Sequence, residues 1–243
     1  RQIAKCFGSK INGEAFFELF HSFDTSVLRK LSSDRFKTEA LLFGQAGFLK
    51  DDVDNPYFQQ LKAEYRYLVS KFQLKPLPIG TFQFFKLRPN NFPTIRLAQL
   101  AALLSKEQGL FSALMAMENK ADFYEFFSID LHPFWKKHYT FATPSKRSDK
   151  KLSTSFVDLI LINAVIPMKL TYLLNKGLDF QEEILKMITQ LKPEQNNIIS
   201  KFSDLKLKSN NAMDTQALLE LKNNYCAKQK CLQCAIGIQI MKS

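Results

Sequence analysis

Three cysteines crowd the segment YCAKQKCLQC at 225–234: Cys226, Cys231 and Cys234. Thiolates are soft, charged donors, so such a cluster is a candidate ligand set for zinc or an iron–sulfur cluster. The two-residue spacing between Cys231 and Cys234 lets both sulfurs reach one metal across a tight turn, and Cys226 would supply a third. Lys228 and Lys230 would favour the thiolate forms electrostatically. A closed structural site takes four ligands, and only AIGIQIMKS follows Cys234. The fourth must then come from Cys6, His21, His132 or His138; Cys6 is the natural choice because chain ends often lie close together. Against this stands a plainer reading, which the sequence favours: three local ligands are too few, and small apolar thiols pack a corner between helices.

The second chemistry is that of fixed positive charge. Lys and Arg total 34 against 23 Asp and Glu, a net charge of +11. Such an excess attracts phosphates and anionic surfaces, although scattered lysines also simply keep a surface solvated. In LRPNNFPTIRLAQLAALL at 87–104, Arg88 and Arg96 flank a rigid Pro-Asn-Asn-Phe-Pro turn beside a helix start, where guanidiniums would hold a phosphate or carboxylate. The competing and favoured expectation is that each arginine pairs with a carboxylate such as Glu39 or Glu64. A polar stretch, TPSKRSDKKLST at 143–154, adds Lys146, Arg147, Lys150 and Lys151.

Other chemistries lack their residues. LLFGQAGFL has no Gly-Lys-Ser/Thr and ends a helix, so close packing at Gly44 explains it better than a phosphate loop. KDDVDNPY lacks the glycine and glutamate of a calcium loop. His21, His132 and His138 have no metal spacing among themselves, and no nucleophile motif accompanies them. The cysteine segment is similar to the cluster loop of endonuclease III-type DNA glycosylases. That loop uses four cysteines with a longer first gap, and the catalytic lysine and aspartate context is not evident here.

The elements that would position these groups read as helices. Glycine is scarce at 8 residues and Phe abundant at 23, with 46% hydrophobic residues, which favours a large aromatic core over a turn-rich β fold. Asn12 is expected to cap a first helix, Ser33 a second that ends at Gly47, and Asn55-Pro56 a third with Leu61, Tyr65, Leu68 and Phe72 on one stripe. Pro93 opens a helix apolar nearly all round, hence central. TFQFFKLRP and HYTFAT would form at most a two-stranded ribbon. The expectation is an all-α, irregular multi-helix bundle in a single domain over 1–243, with a subdomain break, if any, at 143–154.

The apolar run from Phe156 contains Asp158, Asn163, Pro167 and Lys169, so it reads as a mostly buried helix kinked at Pro167 and not as a membrane span. Cysteine usage points to a reducing, cytoplasmic setting.

Several of these stretches together, EALLFGQAGFL (39–49), LRPNNFPTIRLAQLAALL (87–104), LINAVIP (161–167), LKPEQNNII (191–199) and TQALLELKNNYCAKQKCLQCAIG (215–237), resemble the C-terminal part of the bacterial family named Domain of Unknown Function 2851. That family has no established activity to carry onto any residue. The resemblance implies an additional N-terminal part with acidic and histidine-bearing motifs somewhat like a metal-dependent nuclease core, which nothing here matches. The chain, beginning at Arg1, is then expected to be a fragment. Three functions follow as expectations: a non-catalytic accessory domain whose Arg88, Arg96, Lys146, Arg147, Lys150 and Lys151 contact nucleic acid or another polyanion; a zinc or iron–sulfur enzyme domain built on Cys226, Cys231, Cys234 and Cys6; or an architectural domain packing on an N-terminal neighbour.

Overall fold

The computed structural model describes residues 1–242 of the 243. Their regular secondary structure is helical, and the only β-type pairing among them is one isolated antiparallel bridge between His138 and Pro144. The chain divides into two compact units, Arg1–Met117 with Ala121–Val165, and Glu118–Lys120 with the chain from Ile166 onward. The division does not fall at 143–154, which lies wholly inside the first unit.

The first unit is built around α5 (Pro93–Lys106), in which every residue from Pro93 to Leu104 is buried. A helix apolar all round must be covered on all sides. Two of its covers are α1 (Gln2–Leu19) and α3 (Arg35–Gln45). The other face of α3 takes α4 (Pro56–Phe72). Asn55 caps α4 by accepting from the Tyr57 and Phe58 N–H groups, with Pro56 in the first turn. Asp34 rather than Ser33 caps α3, and Gly47 terminates it at φ +79°, with the Phe48 N–H reaching back to the Phe43 carbonyl at 3.0 Å. Gly44 lets α3 and α4 approach closely: a Cβ there would overlap the ring of Tyr65. The remaining helices of this unit are α2 (Thr25–Leu31), α6 (Leu110–Ala116), most of α7 (Lys120–Phe126), α8 (Pro133–Lys136) and α9 (Thr154–Ile160).

The Phe excess is used as expected. Phe43 stacks on Trp135 at 5.0 Å, and Phe141 meets Phe43, Phe58 and Trp135 at 5.2, 5.0 and 5.0 Å between centroids. Edge-to-face pairs of this kind add to the stabilisation from burial.

One local expectation fails, and the optional ribbon does not form, both for identifiable reasons. Asn12 caps nothing: α1 starts at Gln2, breaks at Ser9 (φ 53°, ψ −153°), and carries Asn12 inside it, buried. Its amide instead exchanges two 2.8 Å hydrogen bonds with the Gln83 backbone, imitating a strand partner. That pairing, plus Phe82 on Phe16 and Phe48, occupies the segment expected as a ribbon, so HYTFAT has no strand to join.

The helix after Ser153 runs Thr154–Asn175. A π-helical turn at Leu161–Val165 precedes Pro167, widening the helix where proline lacks its N–H; α10 (Ile166–Asn175) continues beyond. Among the described residues this is the one helix long and apolar enough to cross a membrane, yet 56% of that window is buried within the protein. Its buried charges are paired there: Asp158 accepts from the Tyr124 hydroxyl at 2.7 Å, and Lys169 pairs with Glu183.

The second unit contains α10, α11 (Gln181–Thr189), α12 (Asn197–Asp204) and α13 (Ala212–Glu220), then a π-helical segment Leu221–Cys226 and α14 (Ala235–Lys242). Asn196 and Asn211 cap α12 and α13. Its buried apolar side chains are few, including Met187, Leu191, Ile199 and Ala212, and α14 buries none.

Gly44→Ala is expected to destabilise the protein by about 1–3 kcal/mol through overpacking against Tyr65. Denaturant unfolding checks this; an unchanged midpoint would contradict the close approach.

Candidate functional site

A chain of polar contacts runs through the interior of the first unit. Arg96, 7% exposed, donates from Nη2 to Asn91 Oδ1 at 2.7 Å and from Nη1 to Gln99 Oε1 at 2.9 Å. Its guanidinium lies 3.6 Å from the centre of the Phe156 ring, and its Nε is buried without a partner. The amide nitrogen of Gln99 donates to the Lys150 carbonyl at 2.8 Å. The Lys150 ammonium, on a residue 6% exposed, donates to the Trp135 carbonyl at 2.6 Å and sits 4.2 Å from the centre of the Tyr139 ring. Trp135 in turn donates its indole N–H to Glu39 at 3.3 Å. Glu39, 1% exposed, also accepts from the Tyr57 hydroxyl and from Arg35 Nε at 3.0 Å, and Arg35 reaches the Asp130 carbonyl at 2.7 Å.

The arginine–carboxylate pairing expected from sequence is therefore corrected. Arg35 takes Glu39, Glu64 keeps a buried oxygen without a partner, and no ion pair among the described residues involves Arg96 or Lys150. Both cations rest on neutral amide and carbonyl oxygens and on aromatic faces. Burying a charge this way is costly, and the cost shows in the acid–base behaviour. Burial pushes the Arg96 guanidinium down to about 10 and lowers Lys150 as well, while burial raises Glu39 against the opposing pull of Arg35.

The backbone around Lys150 is pinned at several points. The segment after Tyr139 folds back on itself through the His138–Pro144 bridge, with Ser145 N–H on the Lys137 carbonyl at 2.6 Å and Ser148 N–H on the Lys136 carbonyl at 2.8 Å. Residues 136–151 thus form an anchored hairpin, not a linker. It exposes Lys137, Lys146, Arg147 and Lys151, and its one acid, Asp149, is 3.5 Å from Lys136. Of the six expected anion-binding residues, the structure puts Lys146, Arg147, Lys150 and Lys151 on this hairpin. It joins Arg96 to it through Gln99, and places Arg88 exposed at the start of the short 3₁₀ turn Pro89–Asn91. Lys150 and Arg96 serve as anchors; the exposed members face solvent. Lys137, which sequence reasoning missed, becomes legible only once the hairpin brings 136–137 beside 145–148.

His132 and His138 are both engaged by neighbouring groups. His132 accepts the Phe134 N–H at 3.3 Å as the cap of α8 and stacks on Tyr57 at 4.2 Å; burial, and then Arg35, depress its protonation. His138 stacks on Phe134 at 4.0 Å. Glu39 is sealed from solvent.

The cysteines do not assemble. Among the described residues no three His, Cys, Asp or Glu side chains are grouped as a metal site. All four thiols are free: Cys6 is buried in the first unit, with burial raising its pKa to about 11, while in the second Cys234 is buried and Cys226 and Cys231 are exposed. Of the three clustered thiols only that of Cys234 is buried.

Glu39 makes stability depend on pH with a definite sign. A carboxyl whose folded-state value lies above its ordinary 4.5 binds more protons folded than unfolded. Its contribution is therefore largest below pH 4.5 and falls as pH rises from there through the raised value. Unfolding free energies of wild type and Glu39→Gln, measured from pH 4 to 8, should show this decline in the wild type only; parallel profiles would contradict it.

The family model described as "Protein of unknown function (DUF2851)" matches residues 1–197, which includes the hairpin and its anchors but stops short of Cys226, Cys231 and Cys234. No curated protein and no solved structure matches the chain. With the match covering most of its length, the chain belongs to the DUF2851 family.

Proposed function

We propose that this chain is a non-catalytic accessory domain that contacts nucleic acid through the 136–151 hairpin. The observation that carries the reading is four exposed cations, Lys137, Lys146, Arg147 and Lys151, on one anchored hairpin whose single acid is engaged by Lys136. Cations on a fixed backbone lose less freedom on binding than the same cations on a mobile tail. They bind phosphates by displacing condensed counterions, a sequence-independent interaction. Arg88 and the remaining lysine excess would extend the attractive field.

The architectural alternative, packing on an N-terminal neighbour, draws on a different feature. Leu232, Ile236, Ile240 and Met241 on and beside α14 are all more than half exposed.

The test is duplex DNA binding by fluorescence anisotropy across a salt series. Wild type should bind with affinity falling steeply with salt. The Lys146→Ala/Arg147→Ala/Lys151→Ala variant should flatten the slope of log K against log salt by about 2–3, near 0.9 per lost phosphate contact. A salt-independent response, or a variant indistinguishable from wild type, rejects the hairpin as the contact surface and leaves the architectural reading.

A further inference from the structure

A cleft of about 490 Å³ lies in the first unit, remote in sequence from the hairpin, between α4 and the turn at 76–79. Its size falls in the range of small-molecule sites, roughly 300–1,000 Å³. Its walls are apolar: the Tyr65 ring, Val69, Pro76, Pro78 and Ile79. Ile79 is 68% exposed, so its side chain is available to a molecule in the cleft.

The wall is held in place. The Leu77 N–H donates to the Gln45 carbonyl at 2.8 Å. The Gln45 side chain is fixed by the Tyr65 hydroxyl at 2.7 Å and by its own bond to the Ser22 carbonyl at 3.0 Å. Thr81 ties back to Pro78 through its hydroxyl at 2.7 Å, and two prolines fix the backbone between these pins. The cleft is thus pre-formed, which lowers the ordering cost of filling it.

Its rim is cationic. Lys50, Lys62 and Arg66 all line it. Lys62 is already engaged, by Asp52 at 2.6 Å and by the Lys50 and Asp51 carbonyls. The hydrogen bond and charge of Lys62, with a smaller pull from Arg66, hold the Asp52 carboxyl below its usual range. Lys50 and Arg66 are exposed, and no ion pair among the described residues involves either of them.

We propose that this cleft binds a small amphiphilic carboxylate, its apolar body against Val69, Pro78 and Ile79 and its carboxylate on Arg66 and Lys50. Charge complementarity at the rim selects the anion, and the apolar walls select against a fully polar one. Arg66 offers the planar fork that matches a carboxylate. No residue of the 136–151 hairpin takes part.

The experiment titrates the full chain with octanoate, octan-1-ol and acetate, using calorimetry and backbone amide shift mapping. Octanoate should bind saturably, with shifts centred on Val69 and Ile79. Octan-1-ol, which lacks the charge, and acetate, which lacks the body, should each bind at least about ten-fold more weakly. Lys50→Ala/Arg66→Ala should weaken octanoate by at least about ten-fold, Val69→Trp should abolish binding by filling the cleft, and the hairpin triple variant should bind as wild type. Absence of saturable octanoate binding overturns the proposal. So do equal binding of octan-1-ol, and octanoate binding indifferent to Val69→Trp or to loss of the two cations.

Discussion

The ammonium of Lys150, buried against the Trp135 carbonyl, is the contact on which the polar architecture of the first unit depends. It joins two networks that would otherwise be separate. On one side Gln99 holds the Lys150 carbonyl and, through it, Arg96 at the start of α5. On the other, Trp135 hands its indole N–H to Glu39, which gathers Arg35 and Tyr57. Lys150 adopts φ +42°, a left-handed conformation that a non-glycine residue holds only when its surroundings impose it. Both its side chain and its carbonyl are used, so the residue acts as a rivet for the hairpin.

Two cations buried without a carboxylate run against the usual pairing of buried charge. The solution here is several partial compensations. Asn91 and Gln99 offer amide oxygens to Arg96, and Phe156 offers its electron-rich face. Tyr139 does the same for Lys150. Cation–aromatic contacts gain strength when both partners are desolvated. No acidic side chain is drawn in to balance the anchors, so both add to the positive charge of the region.

Much of this fold was legible in the sequence. Asn55-Pro56 announces α4 because cap and proline act locally, and the nearly all-round apolar pattern of 93–104 announces a central helix because it leaves little polar face. Gly44 reads as a packing glycine because no phosphate-loop lysine follows it. What was not legible depends on contacts between distant segments. Nothing in residue type tells that Asn12 will serve Gln83, 71 positions away, instead of a helix end. Charge matching by type assigned Arg96 to Glu39 or Glu64, whereas geometry gives Glu39 to Arg35, one helical turn away. The stretch 143–154 has the composition of a linker, and only the folded chain distinguishes the buried Lys150 from its exposed neighbours Lys146, Arg147 and Lys151. The α14 segment, with its exposed isoleucines, shows the converse: apolar composition alone does not say what a face will cover.

The most direct measurement of the anchored hairpin is amide hydrogen exchange at Ser145 and Ser148, whose N–H groups bond to the Lys137 and Lys136 carbonyls. The account predicts protection of both amides in the wild-type chain. In Lys150→Met, which removes the ammonium but keeps a long apolar stem, both should be lost while α5 stays protected. Exchange of Ser145 and Ser148 at the rate of an open loop in the wild type, or unchanged protection in Lys150→Met, would contradict it.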